Sequence, residues 1–207
     1  MCSNEAVIDP TIVLEGYGVR LEPLEERHLP ALRADCHDPA LWELTFSDSP
    51  FGDDAGAKAW LQASLEDPKM HAFAIVDAST GATIGSTRYL DIEPAHRKLE
   101  IGWTFLAPRY WRSHVNTACK LLLMEYAFEK CGALRMQFKA EAKNWRSRRA
   151  LEGIGATCEG VLRNFRIRPD GEIRDTSFYS VIVQEWPAVR ARLEQRLNAR
   201  SGAESRV

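Results

Sequence analysis

Residues Lys98–Leu106 read Lys-Leu-Glu-Ile-Gly-Trp-Thr-Phe-Leu, and the predicted fold is built outward from this stretch. Its side chains alternate with the period of two that is typical of a β-strand. We predict that one set faces a core and that the other set lines the opposite side of a sheet. The core set is Leu99, Ile101, Trp103 and Phe105, and the opposite set is Lys98, Glu100, Gly102 and Thr104.

A strong helix is predicted after this strand. Pro108 ends the strand, and a short polar loop follows it. From about Val115 to Lys130, apolar residues then recur at helical spacing. They are Val115, Ala118, Leu122 and Tyr126. Gly132 is placed to close the helix.

Strand and helix patterns alternate on both sides of this unit, which indicates a mixed α/β sheet domain. Further strands are predicted at 19–22, 72–77, 83–90, 134–140, 157–167 and 176–184, and further helices at 24–34, 54–66, 144–152 and from Trp186 onward. We expect an N-terminal extension at 1–18, one domain at 19–197 and a polar, frayed tail at 198–207.

Composition excludes several classes of protein. The 207 residues include 27 Lys and Arg and 29 Asp and Glu, which gives a net charge of -2. We therefore expect no positive electrostatic potential that would bind nucleic acid or an anionic membrane. Apolar runs are too short to span a bilayer and the first residues lack a signal region, so we expect a cytoplasmic protein. The five cysteines lack CxxC spacing and the histidines are scattered, so neither a disulfide framework nor a metal site is predicted.

Two strand-to-helix junctions are the candidate site, at residues 106–117 and 140–147. Open α/β sheets bind ligands outside the carboxyl ends of their strands. Helix N-termini present unpaired N–H groups and a partial positive charge, and therefore hold phosphates. Many α/β folds share this geometry, so the junctions alone do not name a function.

The residues at these junctions resemble the GCN5-related N-acetyltransferase family. The resemblance is carried by Leu99-Glu100-Ile101-Gly102-Trp103-Thr104 with Pro108, Trp111 and Asn116-Thr117, and by Asn144-Trp145-Arg146-Ser147 with Ala150-Leu151 and Gly155. Later segments are similar to the branch of ribosomal-protein N-terminal alanine acetyltransferases, namely Glu159-Gly160-Val161-Leu162-Arg163, Arg174-Asp175 and Glu185-Trp186-Pro187. The resemblance covers roughly residues 19–197.

The resemblance implies an α+β fold with a twisted, mostly antiparallel mixed sheet flanked by helices, and a V-shaped split at its central strands. Acetyl-CoA would lie in that split as cosubstrate, without a metal. The backbone of Phe105 and Leu106 would pair with the pantetheine amides, and Asn144 would bond the coenzyme arm. The pyrophosphate would contact Arg112, Ser113, His114, Val115, Asn116 and Thr117. Arg149, with Arg146 and Arg148, would meet the 3′-phosphate or form a solvated helix face.

The sequence departs from the family pattern twice. The usual pyrophosphate loop has small residues where His114 and Asn116 stand, and glycine eases the close approach of a backbone to phosphate. Arg112 could offset that loss by pairing with phosphate. The tyrosine that reprotonates the departing thiolate in many members is replaced by Leu151. Ser147 matches the serine used in the resembled branch, although a first-turn serine also serves backbone groups.

Acetyl transfer to an amine also needs a base, because an aliphatic ammonium has a pKa of about 10. Glu100 is the candidate, and the alternative is an ordinary strand glutamate bridging to Arg97 or Lys98. Candidate acceptor contacts are Trp42, Phe46, Asp175 and Tyr179. The alternatives for these are packing of the aromatic loop residues and a surface ion pair of Asp175 with Arg174 or Arg163.

Three functions are consistent with these residues. The first is acetyl-CoA-dependent acetylation of a primary amine, on a peptide or protein N-terminus or a small molecule, by direct attack on the thioester. The second is acetylation of an amine-bearing antibiotic. The third, which the altered loop leaves open, is an acyl-CoA-binding or regulatory module with impaired catalysis. Aromatic residues on the late strands would suit the seam of a homodimer.

Overall fold

A computed structural model of the chain describes residues 8–43, 45, 48–168 and 170–204, the last five by their backbone only. Within these residues, eight strands form one sheet in the order β1-β2-β3-β4-β5-β6-β8-β7. The strands are β1 Leu14–Gly16, β2 Val19–Pro23, β3 His71–Asp77, β4 Thr83–Glu93, β5 Lys98–Leu106, β6 Arg135–Glu141, β7 Thr157–Ile167 and β8 Ile173–Ile182. Among the strand pairs of the described residues, only β5–β6 is parallel, which confirms the mixed, mostly antiparallel sheet.

Helices cover both faces of this sheet. They are α1 Leu29–Asp35, α2 Pro39–Trp42, α3 Asp54–Glu66, α4 Val115–Glu125, α5 Trp145–Ile154 and α6 Trp186–Glu204. The long predicted helix after β5 is confirmed, although its last turn, Tyr126–Lys130, is π-helical. Among the described residues, no helix is both long enough and apolar enough to cross a membrane.

Two apolar cores lie on opposite faces of the sheet. The larger core joins Leu99 and Ile101 of β5 to α4, α5 and α6. The smaller core lies under α1, α2 and α3 and includes Phe105 of the same strand. We call these the α4 face and the α3 face of the sheet. β5 therefore contributes to both cores, which a regular strand with one apolar face would not do.

A β-bulge at Trp103 explains this change of face. Arg88 pairs with Gly102 and Ser86 with Phe105, so three steps along β5 match two steps along β4. Trp103, the extra residue, has a φ of 49°. The predicted alternation is therefore wrong beyond Ile101, because the bulge puts Trp103 and Phe105 on the face opposite to Leu99.

The ends of the domain differ from the predicted boundaries. β1 lies within the predicted extension 1–18 and pairs with β2, so those residues belong to the sheet. The backbone of α6 runs to Glu204, beyond the predicted start of a frayed tail at Asn198. The predicted helix at 24–34 begins later, at Leu29, because Glu25 and His28 form a capping box around a short 3-10 turn.

Close packing of β4 against β5 generates the first prediction. A Cβ added at Gly85 would overlap the carbonyl oxygen of Phe105 and would lie 3.1 Å from the Cα of Leu106. Both obstacles are backbone, so they cannot move aside as a side chain would. We expect Gly85→Ala to lower the free energy of unfolding in urea by about 1–3 kcal/mol.

Gly52→Ala is the matched control, because nothing lies within 4 Å of a Cβ built there. That substitution should change the stability by less than about 0.5 kcal/mol. Equal stability of the two variants would contradict this description of the β4–β5 contact.

Candidate active site

The site begins where β5 and β6 stop pairing. Their parallel ladder covers Lys98↔Arg135, Leu99↔Met136 and Glu100↔Gln137 and then ends, although both strands continue. β6 goes on pairing with β8 as far as Glu141. The edge of β5 over residues 101–106 therefore has no strand bonded to it on the β6 side, which leaves an opening in the ladder. This opening is the split between the central strands that the resemblance implies.

At the outer end of the split, one backbone group predicted to bind pantetheine already has a partner. The indole Nε1 of Trp111 donates a hydrogen bond of 2.9 Å to the carbonyl oxygen of Leu106. Phe105 is buried among the rings of Trp42, Phe51 and Trp60 on the α3 face. A pantetheine amide would therefore have to displace Trp111 from Leu106, or pair with another part of the β5 edge.

The loop before α4 is held mainly by its own side chains. Ser113 Oγ donates to the carbonyl of Tyr110 at 2.6 Å, and the amide of Val115 lies 3.3 Å from the same hydroxyl. Arg112 adopts a left-handed conformation, with a φ of 61°. His114 Nε2 lies 3.6 Å from the place a Cβ would occupy on Gly18. The His114 ring thus lies beside the β1–β2 turn.

The first-turn amides of α4 remain suited to an anion. Within the described residues, the N–H groups of Asn116 and Thr117 make no backbone hydrogen bond. Such groups and the helix dipole favour a negative group at this end of the helix. The predicted pyrophosphate site keeps its backbone donors, despite the larger side chains at His114 and Asn116.

At the second junction, Asn144 caps α5 as predicted. Its Oδ1 accepts a hydrogen bond of 3.0 Å from the amide of Ser147. The arginines that follow do not form one cluster. Arg146 lies over the ring of Trp111 at 4.7 Å, so it connects the two junctions, and Arg149 lies over Trp145 at 5.2 Å. Arg148 bonds to the hydroxyl of Tyr179 at 3.1 Å.

Glu100 is buried on the α3 face, beside the point where the strands part. Its carboxylate accepts from Gln137 Nε2 at 3.0 Å and forms an ion pair of 2.8 Å with Lys139. Lys139 also pairs with Asp91 at 2.8 Å. Burial lowers the pKa of Lys139, but its hydrogen bonds and ion pairs with Asp91 and Glu100 raise it by more. The pKa of Lys139 is therefore above its ordinary value. The partner of Glu100 is therefore Lys139, and not the predicted alternatives Arg97 or Lys98.

The split also contains a lysine that sequence reasoning did not single out. Lys120 of α4 is only 5% exposed, and its Nζ donates to Thr104 Oγ1 of β5 at 2.8 Å. The same Nζ is 5.8 Å from the ring centre of Phe138 on β6. Burial lowers the pKa of Lys120 to about 8. The available signal was a lysine within the apolar run Ala118-Cys119-Lys120-Leu121-Leu122-Leu123-Met124.

The predicted acceptor contacts are not brought together. Trp42 is buried and donates through Nε1 to the carbonyl of Cys36 at 2.8 Å, so it packs in the smaller core. Tyr179 is wholly buried, with its hydroxyl bonded to Glu152 at 2.9 Å. Asp175 accepts from the amide of Asn164 across the irregular β7–β8 ladder at 2.8 Å. Phe46 lies outside the described residues.

The buried placement of Trp42 and Tyr179 contradicts their prediction as acceptor contacts. Trp42 packs against other aromatic rings, which is the alternative that the sequence left open. Tyr179 lies on the face of β8 that α5 covers. Among the described residues, no group of three or more His, Cys, Asp or Glu side chains is placed to hold a metal ion. Burial raises the pKa values of the Cys36 and Cys119 thiols to about 12, which disfavours a cysteine nucleophile.

A parallel strand pair that stops pairing at the centre of a mixed sheet, with a helix N-terminus beside it, is the arrangement expected of the GCN5-related N-acetyltransferase fold. The model of the GNAT acetyltransferase domain matches residues 19–157, and the chain belongs to this family. It is an N-acetyltransferase by its family and its relatives.

Three similar proteins illustrate the relationship. A GCN5-related N-acetyltransferase from Brucella melitensis is 30% identical, with a TM-score of 0.85 over 90% of this chain and 86% of the other. "Putative ribosomal N-acetyltransferase YdaF" of Bacillus subtilis is 29% identical over 106 residues, which cover 51% of this chain and 57% of that protein. The spermidine N-acetyltransferase from Vibrio cholerae in complex with CoA and spermine shares the fold, with a TM-score of 0.69 and 16% identity over 83% of this chain and 99% of that one.

The buried Lys120 generates the second prediction. Its pKa is about 8 in the folded protein against 10.5 for the ordinary side chain. Between these values the unfolded chain binds a proton that the folded chain does not, so Lys120 makes stability rise with pH. We expect the stability of the wild type, measured relative to Lys120→Met, to rise by roughly 1–3 kcal/mol from pH 8 to pH 10.5 in urea titrations.

Lys130→Met, at an exposed lysine beyond the same helix, is the control and should show no such rise. If the difference in unfolding free energy between wild type and Lys120→Met stays constant over this pH range, folding does not lower the pKa of Lys120, and the prediction is wrong.

Proposed function

We propose that the protein transfers an acetyl group from acetyl-CoA to a primary amine, by direct attack of the amine on the thioester. The observation that carries the proposal is the end of the β5–β6 ladder at Glu100↔Gln137, with the amides of α4 at the outer end of the opening. An extended chain with amide groups can occupy the unpaired edge of a strand as a further strand would. A diphosphate attached to that chain would then meet the helix N-terminus.

The coenzyme contacts in this proposal follow the two junctions. The backbone groups of Phe105 and Leu106 would pair with the pantetheine amides, and residues 112–117 would donate hydrogen bonds to the pyrophosphate. Asn144 and Arg149 lie on the far side of the split, where the remaining part of the coenzyme would pass. Two contacts must change on binding, namely the bond from Trp111 to Leu106 and the stacking of Arg146 on Trp111. A single movement of Trp111 would release both.

The chemistry uses the α3 face of the split. The nitrogen of a neutral amine attacks the thioester carbon, and the proton it loses passes to Glu100 directly or through one water. A backbone N–H on the part of β5 that leaves the ladder stabilises the oxyanion. The carbon–sulfur bond then breaks and its electron pair leaves with the thiolate. The ion pair with Lys139 holds the Glu100 carboxylate in position beside the end of the ladder.

The departing thiolate needs a proton, and two donors border the split. Ser147 lies in the first turn of α5, at the outer end of β6. Lys120 reaches β5 and β6 from the α4 face, with its Nζ bonded to Thr104 of β5 and 5.8 Å from the ring centre of Phe138 of β6. A group that titrates near the working pH is the better acid, and the pKa of Lys120 is about 8. We assign the proton to Lys120, with Ser147 as the alternative.

The acceptor in this proposal is a peptide or protein N-terminus or a small amine. The similarity to a protein named for ribosomal acetylation favours the first, and the shared fold with a spermidine acetyltransferase allows the second. Asp175 remains a predicted acceptor contact, since it lines the open concavity of the β7–β8 hairpin with Val161, Leu162, Arg163, Asn164 and Phe165. The homodimer stays a prediction.

The third prediction tests turnover and the base together. Thiol release from acetyl-CoA should rise with at least one amine of a panel of peptides, polyamines and amino acids. Glu100→Gln should lower kcat/KM by about 10- to 1000-fold, because the amide cannot accept the proton. The measurement is steady-state thiol detection at several pH values.

Glu93→Gln serves as control, since this carboxylate pairs with Lys98 near the same strand end. Its activity should stay within about twofold of the wild type, because the ion pair is partly exposed and does not touch the split. Binding of CoA in a calorimeter without thiol release from any amine would favour a module that has lost catalysis. An unchanged rate for Glu100→Gln would reject Glu100 as the base.

The fourth prediction separates the two acids. Lys120→Met should lower kcat by about 100-fold and remove the alkaline fall in kcat near pH 8. Ser147→Ala should keep that fall and lose little activity. A larger loss in Ser147→Ala, with the alkaline fall still present in Lys120→Met, would assign the proton to the serine.

A further inference from the structure

Arg88 of β4 is a buried cation that has no counter-ion among the described residues. The residue is 2% exposed, and its Nη1 donates to Ser64 Oγ at 3.0 Å and approaches Met70 Sδ at 3.1 Å. Its Nε and Nη2 have no hydrogen-bond partner within the described part of the chain, and no ion pair to Arg88 is present there. A buried charge is unfavourable unless it is paired, so this arrangement requires an explanation.

Two indole rings lie against this guanidinium. Its central carbon is 5.1 Å from the ring centre of Trp60 on α3 and 4.8 Å from that of Trp103 on β5. The contacts with these rings offset part of the burial, yet burial still lowers the pKa of Arg88 to about 10. Trp103 is the bulge residue, it has a φ of 49°, and it is 41% exposed. Of the two rings, that of Trp103 is therefore the more exposed to solvent.

Arg88 lies on the reacting side of the split. It pairs with Gly102, and Glu100 is two residues further along β5 on the same face. Diagonal neighbours of this kind in an antiparallel pair are about 7–8 Å apart. The phosphate-binding end of the split is at Leu106, four residues away from Gly102 in the other direction, or about 13 Å along a strand. A ligand at Arg88 would thus lie near the proposed base and apart from the coenzyme phosphates.

The Nε and Nη2 groups of Arg88, which have no partner among the described residues, also indicate which chemical group would fit them. Nε–H and the neighbouring N–H of Nη2 form one edge of the guanidinium plane. Two parallel N–H groups on such an edge match the two oxygens of a carboxylate. The third nitrogen is already fixed by Ser64, which sets the orientation of that edge.

We propose that Arg88 binds a carboxylate of the amine acceptor, and that the indole of Trp103 is a cover which the acceptor displaces. The inference rests on the proposed function and narrows its acceptor class to small amino-carboxylates, in place of the peptide N-terminus that the similarity to a ribosomal acetyltransferase favours. The acceptor is then an amine that carries a carboxylate a few bonds away, such as an amino acid or a short amino-carboxylate. A polyamine would bring a positive charge to Arg88 and is excluded as a good substrate.

The first experiment compares matched acceptors that differ only in this group. Glycine, β-alanine and γ-aminobutyrate are each assayed beside the corresponding carboxamide, with thiol release as the readout. The wild type should prefer the carboxylates, and Arg88→Met should lower their kcat/KM by about 10- to 100-fold, mainly through KM. The carboxamides and the KM for acetyl-CoA should change by less than about threefold. Arg192→Gln, at an exposed arginine of α6, is the control.

The second experiment does not depend on turnover. The Nε–H resonance of Arg88 is assigned by NMR from its loss in Arg88→Lys, and the wild type is titrated with propionate and with propionamide. Propionate alone should shift this resonance and change the fluorescence of Trp103, whose contribution is identified with Trp103→Phe. This wild-type titration remains decisive if Arg88→Met fails to fold.

The outcomes separate the two proposals. If no amine is acetylated but propionate shifts the Arg88 resonance, the acetyl-transfer proposal fails and the carboxylate site stands. If carboxamides react as well as carboxylates and propionate shifts nothing, the carboxylate site is overturned while acetyl transfer stands. A rise in the KM for acetyl-CoA alone in Arg88→Met would assign Arg88 to a coenzyme phosphate and would also overturn the inference.

Discussion

One extra residue in β5 determines the shape of the site. The bulge at Trp103 changes the face on which the rest of the strand presents its side chains, so Phe105 enters the smaller core. On the other face, Thr104 meets Lys120. Bulges bend a strand and increase its twist, which accounts for the end of its pairing with β6 a few residues earlier. The opening is thus a consequence of strand geometry, and the helices on both faces keep it in place.

Buried charges surround this opening, and their arrangement is unfavourable for stability alone. Lys120 has a single hydroxyl partner on β5, Arg88 has two donors without partners among the described residues, and Glu100 is buried against Lys139. Apolar residues of similar volume would often be as stable or more stable at such positions. Buried charges with few partners are concentrated at functional sites, where they serve catalysis or binding although they lower the stability of the fold. Their common location around one strand is the physical basis for the proposed mechanism.

Local patterns predicted much of the fold, because periodicity, caps and turns depend on neighbours along the chain. The bounds of β5 and α3, the cap at Asn144 and the helix after β5 were predicted in this way. The bulge at Trp103 was not, since it depends on the register with β4. For the same reason the burial of Trp42 and Tyr179 could not be read from the sequence. In the sequence, Lys120 stands out as a charged residue within an apolar helical segment, and Arg88 as a charged residue within a predicted strand. Only the packed structure shows where each charge points.

The opening beside β5 can be tested most directly by a crystal structure of the protein with CoA. We expect the pantetheine chain to lie between residues 101–106 of β5 and the end of β6, with its diphosphate at the amides of Asn116 and Thr117 and with Trp111 moved from Leu106. A complex with CoA bound elsewhere, in which the Trp111 indole still bonds to Leu106 as it does here, would contradict the account.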